Sequence, residues 1–152
     1  MSDLSGAGLQ EPTSLAALRR ILLAVVLVGI VGLAAELFLL EHYDGFWQWV
    51  PMVALGLGLA LGIAVWVRPG RGVLLAFRAV MGAFLVAGAV GVYLHLAGNA
   101  EFERESDPAI RGTALLWEAL RGATPSLAPG ALAQLGLVGL ALAYGHPALR
   151  RR

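Results

Sequence analysis

Apolar residues in this chain come in long unbroken blocks, not in the alternation of half-buried strands or the one-sided stripes of soluble helices. Residues 21–40 hold one ionisable side chain, Glu36, and at 1.5 Å per residue such a run spans about 30 Å, the hydrocarbon thickness of a bilayer. Similar blocks occupy residues 50–67, 72–97 and 130–144. The pattern predicts an all-α membrane protein: a four-transmembrane antiparallel helix bundle with a short amphipathic helix in the outer loop between spans three and four.

The interruptions place the turns. Ser14 is expected to cap the first helix, with Arg19 and Arg20 at the membrane boundary. The run of twenty apolar positions exceeds a signal-peptide core of about 7–15 residues, and Leu33-Ala34-Ala35 lacks the small residue such a cleavage site needs. A turn over residues 41–45 leads to Phe46, Trp47 and Trp49, an aromatic anchor of the kind found at headgroup level, with Pro51 expected in the first turn of span two. Arg68-Pro69-Gly70-Arg71 is a tight connection. Within the outer segment, residues 98–129, Asp107-Pro108 reads as N-cap and first position of a helix with Ile110, Ala114 and Trp117 on one face and Gly122 at its end. Pro125 and Pro129 lead into span four, and Gly145 and Pro147 stop it. The organisation is therefore a tail (1–14), one membrane domain (15–149) and a basic tail (150–152).

Composition agrees. Mean hydropathy is +0.77 and 14% of residues are charged, against about 25% in a soluble domain. Without cysteine there are no disulfides, thiolate metal sites or cysteine nucleophiles. All eleven basic residues are arginine. Eight of them flank one side of the spans, and three, Arg104, Arg111 and Arg121, the other, which by the positive-inside rule puts both termini in the cytoplasm. The outer side carries seven acids. In general character the chain resembles small polytopic bacterial membrane proteins, which implies the inner (cytoplasmic) membrane and imports no activity.

Three polar residues within spans are candidates for one outward-facing layer: Glu36 in span one, His95 in span three and Gln134 in span four. An ionisable group at the centre of a span costs about 2.5–3.5 kcal/mol or more and usually faces the bundle interior. Such a layer serves either as a hydrogen-bond clamp between helices or as a site for a divalent cation, a proton or a small polar ligand. A second candidate is the acidic outer face: Glu41, His42 and Asp44, with Gly98-Asn99 and then Glu101 and Glu103 after His95, oxygen and imidazole ligands suited to a divalent metal ion. The spacing fits neither a calcium-binding helix–loop–helix nor a zinc-protease helix.

No nucleotide loop, nucleophile elbow or nucleic-acid stripe is present. The expected function is that of a non-enzymatic accessory or assembly protein whose partners are the bilayer and either further copies of itself or another membrane protein, with no nucleic acid. The alternative is an ion- or proton-coupled transporter or channel subunit using Glu36 and His95.

Overall fold

Lipid-soluble helices cannot gain stability by hiding apolar surface from water, so their contacts are set by how closely backbones approach and by polar bonds at their ends. The computed structural model describes residues 13–150. Most of the expected N-terminal tail, and Arg151 and Arg152, lie outside the described residues. Six helices follow in order: α1 (Thr13–Leu39), α2 (Phe46–Val67), α3 (Arg71–Ser106), α4 (Gly112–Arg121), α5 (Gly130–Ala143) and α6 (Pro147–Arg150). No strand occurs among the described residues. Helices α1, α2 and α3 are each long and apolar enough to cross a membrane. α5, with 14 residues, reaches only about 21 Å.

α1 packs on α2, α2 on α3, α3 on α5 and α5 back on α1, with the most extensive contact between α3 and α5. The seam of α3 is Leu74, Phe77, Met81, Phe84 and Gly88, all buried, at the three-and-four spacing that keeps one face toward its neighbours. Phe77, Met81 and Phe84 are fully enclosed and fill the middle of the ring. Gly58 on α2 admits the Phe84 ring and abuts Ile30 of α1, while Gly62 admits Leu27 and lies near Phe77. The outer surface is as apolar as the core, with Val28, Leu39, Trp66 and Val86 exposed, as lipid-facing helices require.

Glycines on α5 allow main-chain contact with α3. A methyl group at Gly136 would fall 2.6 Å from the Met81 carbonyl oxygen, one at Gly88 would fall 2.6 Å from the Ala133 nitrogen, and one at Gly139 would strike the Met81 sulfur. Gly91 meets Pro129. As the position on α3 falls from 91 to 81, its partner on α5 rises from 129 to 139, so the two helices run antiparallel in register.

Several boundaries differ from expectation. Ser14 lies inside α1 and is not its cap. Pro51 is the sixth residue of α2, where its missing N–H withholds a hydrogen bond from the Trp47 carbonyl. The third helix does not end near residue 97 but continues to Ser106, because Glu101, Glu103 and Glu105 favour helix and nothing before Pro108 interrupts it. Proline disfavours helical geometry in the residue before it, so Asp107 is extended and closes α3 instead of opening α4. Its carboxylate accepts a hydrogen bond from the Ala109 N–H at 2.9 Å. α4 begins at Gly112, after Ile110, and buries Leu115 and Ala119, while Ala114 and Trp117, expected to share one face with Ile110, are exposed.

Replacing Gly136 or Gly88 by alanine is expected to cost about 1–3 kcal/mol, because the obstructing atoms are backbone. Gly32→Ala, with open space around it, should change stability by less than about 0.5 kcal/mol. Unfolding in detergent with increasing denaturing surfactant measures both.

Candidate functional site

Helix register fixes the depth of each polar side chain. Ile30, Gly58 and Phe84 meet at one level, and Gly29 faces Leu135, which puts Gln134 at the level of residue 30, the middle of the apolar run of α1. Glu36 is six residues further along α1, about 9 Å nearer the end of the bundle that carries His42. His95 stands higher again, opposite Pro125. The three residues expected in one layer therefore occupy three levels. Glu36 and Gln134 are exposed, and no hydrogen bond joins either to His95 among the described residues. The equal depth expected for Gln134 assumed that α5 starts at the outer surface. Instead, residues 122–129 descend beside α3, and α5 begins below the level of His95.

What the outer end of α3 does hold is a hub made by Asn99, which is 5% exposed, and Ser126, 2% exposed. The Asn99 amide nitrogen donates to the Ala119 carbonyl at 2.9 Å, the Thr124 carbonyl at 2.7 Å and the Ser126 hydroxyl oxygen at 3.0 Å. Its Oδ1 accepts from the Thr124 N–H at 3.2 Å, and the Ser126 hydroxyl donates to the Ala119 carbonyl at 2.9 Å. The Ala119 carbonyl, in the last turn of α4, also accepts from the Gly122 N–H at 3.5 Å. A methyl group at Gly122 would fall 2.5 Å from the Asn99 Cγ, so glycine lets the strap lie against the amide. Among the described residues no buried side-chain nitrogen or oxygen lacks a partner. The hub is buried, and each of its polar side-chain atoms is paired within the chain.

Above it, His95 and His42 meet. The His95 Nδ1 lies 3.0 Å from the Pro125 carbonyl oxygen, and since a carbonyl only accepts, Nδ1 carries the proton and Nε2 is left with its lone pair. His42 is placed by the end of α1. The His42 N–H donates to the Leu37 carbonyl and the Glu41 N–H to the Phe38 carbonyl, the paired bonds of a Schellman cap. Glu41 holds the left-handed position of that cap, with φ of 50°, and its role is thereby conformational. The two imidazole centroids are 6.4 Å apart with the rings at 61°. Burial first, and then the charge of His95, pushes the His42 pKa below its usual 6.5.

The remaining acids do not gather. Among the described residues there is no group of three or more His, Asp or Glu side chains placed to hold a metal ion, so Glu41, His42, Asp44, Glu101 and Glu103 do not form the cluster that their chain order implies. Glu101 lies on the outer turns of α3 and is exposed, as are Glu41 and Asp44. Asp44 contributes its backbone N–H to the Gln48 Oε1 at 2.7 Å, helping to start α2. A groove of about 330 Å³ between α2 and α3, lined by Trp49, Val53 and Ala83 among others, contains no polar side chain. Sequence patterning named Asn99 only as part of the acidic outer face and missed it as a buried hydrogen-bonding hub. Its signal was its position four residues beyond His95 on the seam that already carries Phe84, Gly88 and Gly91.

Asn99→Ala should destabilise the strap by about 1–3 kcal/mol, since it removes the four hydrogen bonds of a buried amide, and hydrogen exchange of residues 119–126 should rise. Glu41→Gly removes a left-handed non-glycine residue and should stabilise by about 0.5–1 kcal/mol. For His42 the folded pKa lies below the unfolded value, so the unfolded chain binds the extra proton first. Stability should therefore fall as pH drops below about 6.5 and level off once folded His42 is also protonated. Thermal melts of wild type and His42→Gln between about pH 7.5 and 5 check this, the variant losing that slope.

No family model, no curated protein and no solved structure matches this chain.

Proposed function

We propose that this is a non-enzymatic, four-span protein of the bacterial inner membrane, with both termini cytoplasmic, that acts as an accessory or assembly partner of another membrane protein. α5 supplies the fourth crossing, its 14 residues lengthened by the segment descending from Pro125 and by the turn before α6. The exposed aromatic residues Phe46, Trp47 and Trp49 suit the outer headgroup region, and the arginine asymmetry supports the orientation.

The observation that carries the reading is Glu36. It sits inside an apolar span, is exposed on α1 and has no side-chain hydrogen bond or ion pair among the described residues. A carboxylate on such a face is unfavourable toward lipid and is relieved by a neighbouring donor or cation. Gly32, one turn below, is also exposed with open space beside it, so another helix can come close at that level. Twofold rotation about the membrane normal would set Glu36 of one copy against Glu36 of the next, like charges at one depth. The occupant that fits is a transmembrane helix of a different protein carrying an arginine, lysine or amide donor in its outer half. A path for ions through the chain itself has less support, because Phe77, Met81 and Phe84 fill the interior.

A photo-crosslinking residue at Gly32, activated in native membranes, tests this. The expected product is a single heterologous protein joined through a transmembrane peptide bearing a basic or amide side chain. Glu36→Gln should reduce it about fivefold to thirtyfold, the range for an interhelical polar contact of about 1–2 kcal/mol, and leave the melting of the purified chain unchanged. Adducts only to lipid, or only to a second copy, would refute the proposal.

A further inference from the structure

Two imidazoles meet above the Asn99 hub, those of His42 and His95. They come from different helices: His42 follows the cap of α1, and His95 stands partway along α3, eleven residues before its end at Ser106. His95 is held as metal-bound imidazoles generally are, with one ring nitrogen donating to a backbone carbonyl and the other free. That carbonyl, Pro125, is 3.0 Å from Nδ1 and is itself fixed, because its neighbours Thr124 and Ser126 are tied to Asn99. His42 is anchored through its own backbone N–H to Leu37.

We propose that His42 and His95 form a two-imidazole site for a late first-row transition-metal ion, copper(II) above all, with water completing the coordination. Metal–nitrogen bonds of about 2.0–2.1 Å place the centroids of two imidazoles on one ion roughly 5–6.5 Å apart, from tetrahedral to linear arrangements. The observed 6.4 Å falls at the long end of that range, where the two rings stand nearly opposite one another on the ion. The absence of a third close His, Asp or Glu among the described residues argues against a closed structural zinc site and for an ion that keeps open positions. For nitrogen ligands the order of affinity among divalent first-row ions peaks at copper. This site lies above Glu36, at a different depth, and stands independently of the docking face.

The test is titration of copper(II) into the detergent-purified chain near neutral pH, followed by electron paramagnetic resonance and calorimetry. One ion per chain is expected, with couplings from two imidazole nitrogens. His42→Gln should abolish one coupling and weaken binding by more than the roughly 10–100-fold that loss of a mere supporting group costs, with melting at pH 7.5 preserved. His146→Gln, at the opposite end of the molecule, should bind as wild type does. Because His95→Gln also removes the bond to Pro125, the His42 variant decides the matter. Absence of a stoichiometric ion, a spectrum without imidazole coupling, or undiminished binding by His42→Gln would each overturn the proposal.

Discussion

The contact on which the arrangement depends is the approach of the α5 backbone to that of α3. In a lipid environment no hydrophobic penalty drives α5 onto its neighbours, and a helix of 14 residues is too short to be held by spanning alone. Gly88 on α3 and Gly136 on α5 let the two main chains approach closely, and Gly139 makes room for the Met81 side chain. That contact places α5 against α1 on one side and seats Phe84 beneath Gly58 on the other. The ring of helices closes around it.

Polar bonds then fix the ends of the short helix. At the inner end the Arg19 guanidinium donates to the carbonyls of Leu142 and Tyr144, groups that the end of α5 leaves without helical donors, where a cation is favoured. At the outer end Asn99, Ser126 and His95 hold the strap from α4 into α5. The interior between these two ends is apolar and filled, and the polar residues inside the spans, Glu36 and Gln134, turn outward. A membrane protein with this distribution has its polar business at its surface and at its outer rim.

The apolar blocks were legible in the sequence because lipid demands about twenty apolar residues per crossing, and the three long helices lie where those blocks fall. The course of residues 98–129 was much less legible. Local pattern could not tell that α3 would run on through Glu101 and Glu105, since a helix leaving the membrane may be as polar as a loop; only Pro108 stops it, and it does so from the far side of Asp107. The depth of Gln134 was misjudged for the same reason, because it followed from a start of α5 that depends on tertiary contact with α3. His42 and His95 were both visible as outer polar residues, but their meeting depends on α1 ending in a left-handed Glu41, a geometry that sequence preference assigns to glycine.

The interior is filled by Phe77, Met81 and Phe84, and the polar residues of the spans, Glu36 and Gln134, are exposed at different depths. The chain contains no cysteine, so single spin labels can be attached at Glu36→Cys and Gln134→Cys in reconstituted bilayers and their collision rates with oxygen and with a polar nickel complex compared. The account expects both labels to be accessible, with position 134 near the bilayer centre and position 36 about 9 Å closer to the outer surface. Equal depths, or labels shielded from both reagents, would mean that the two residues share an enclosed polar layer, and would contradict it.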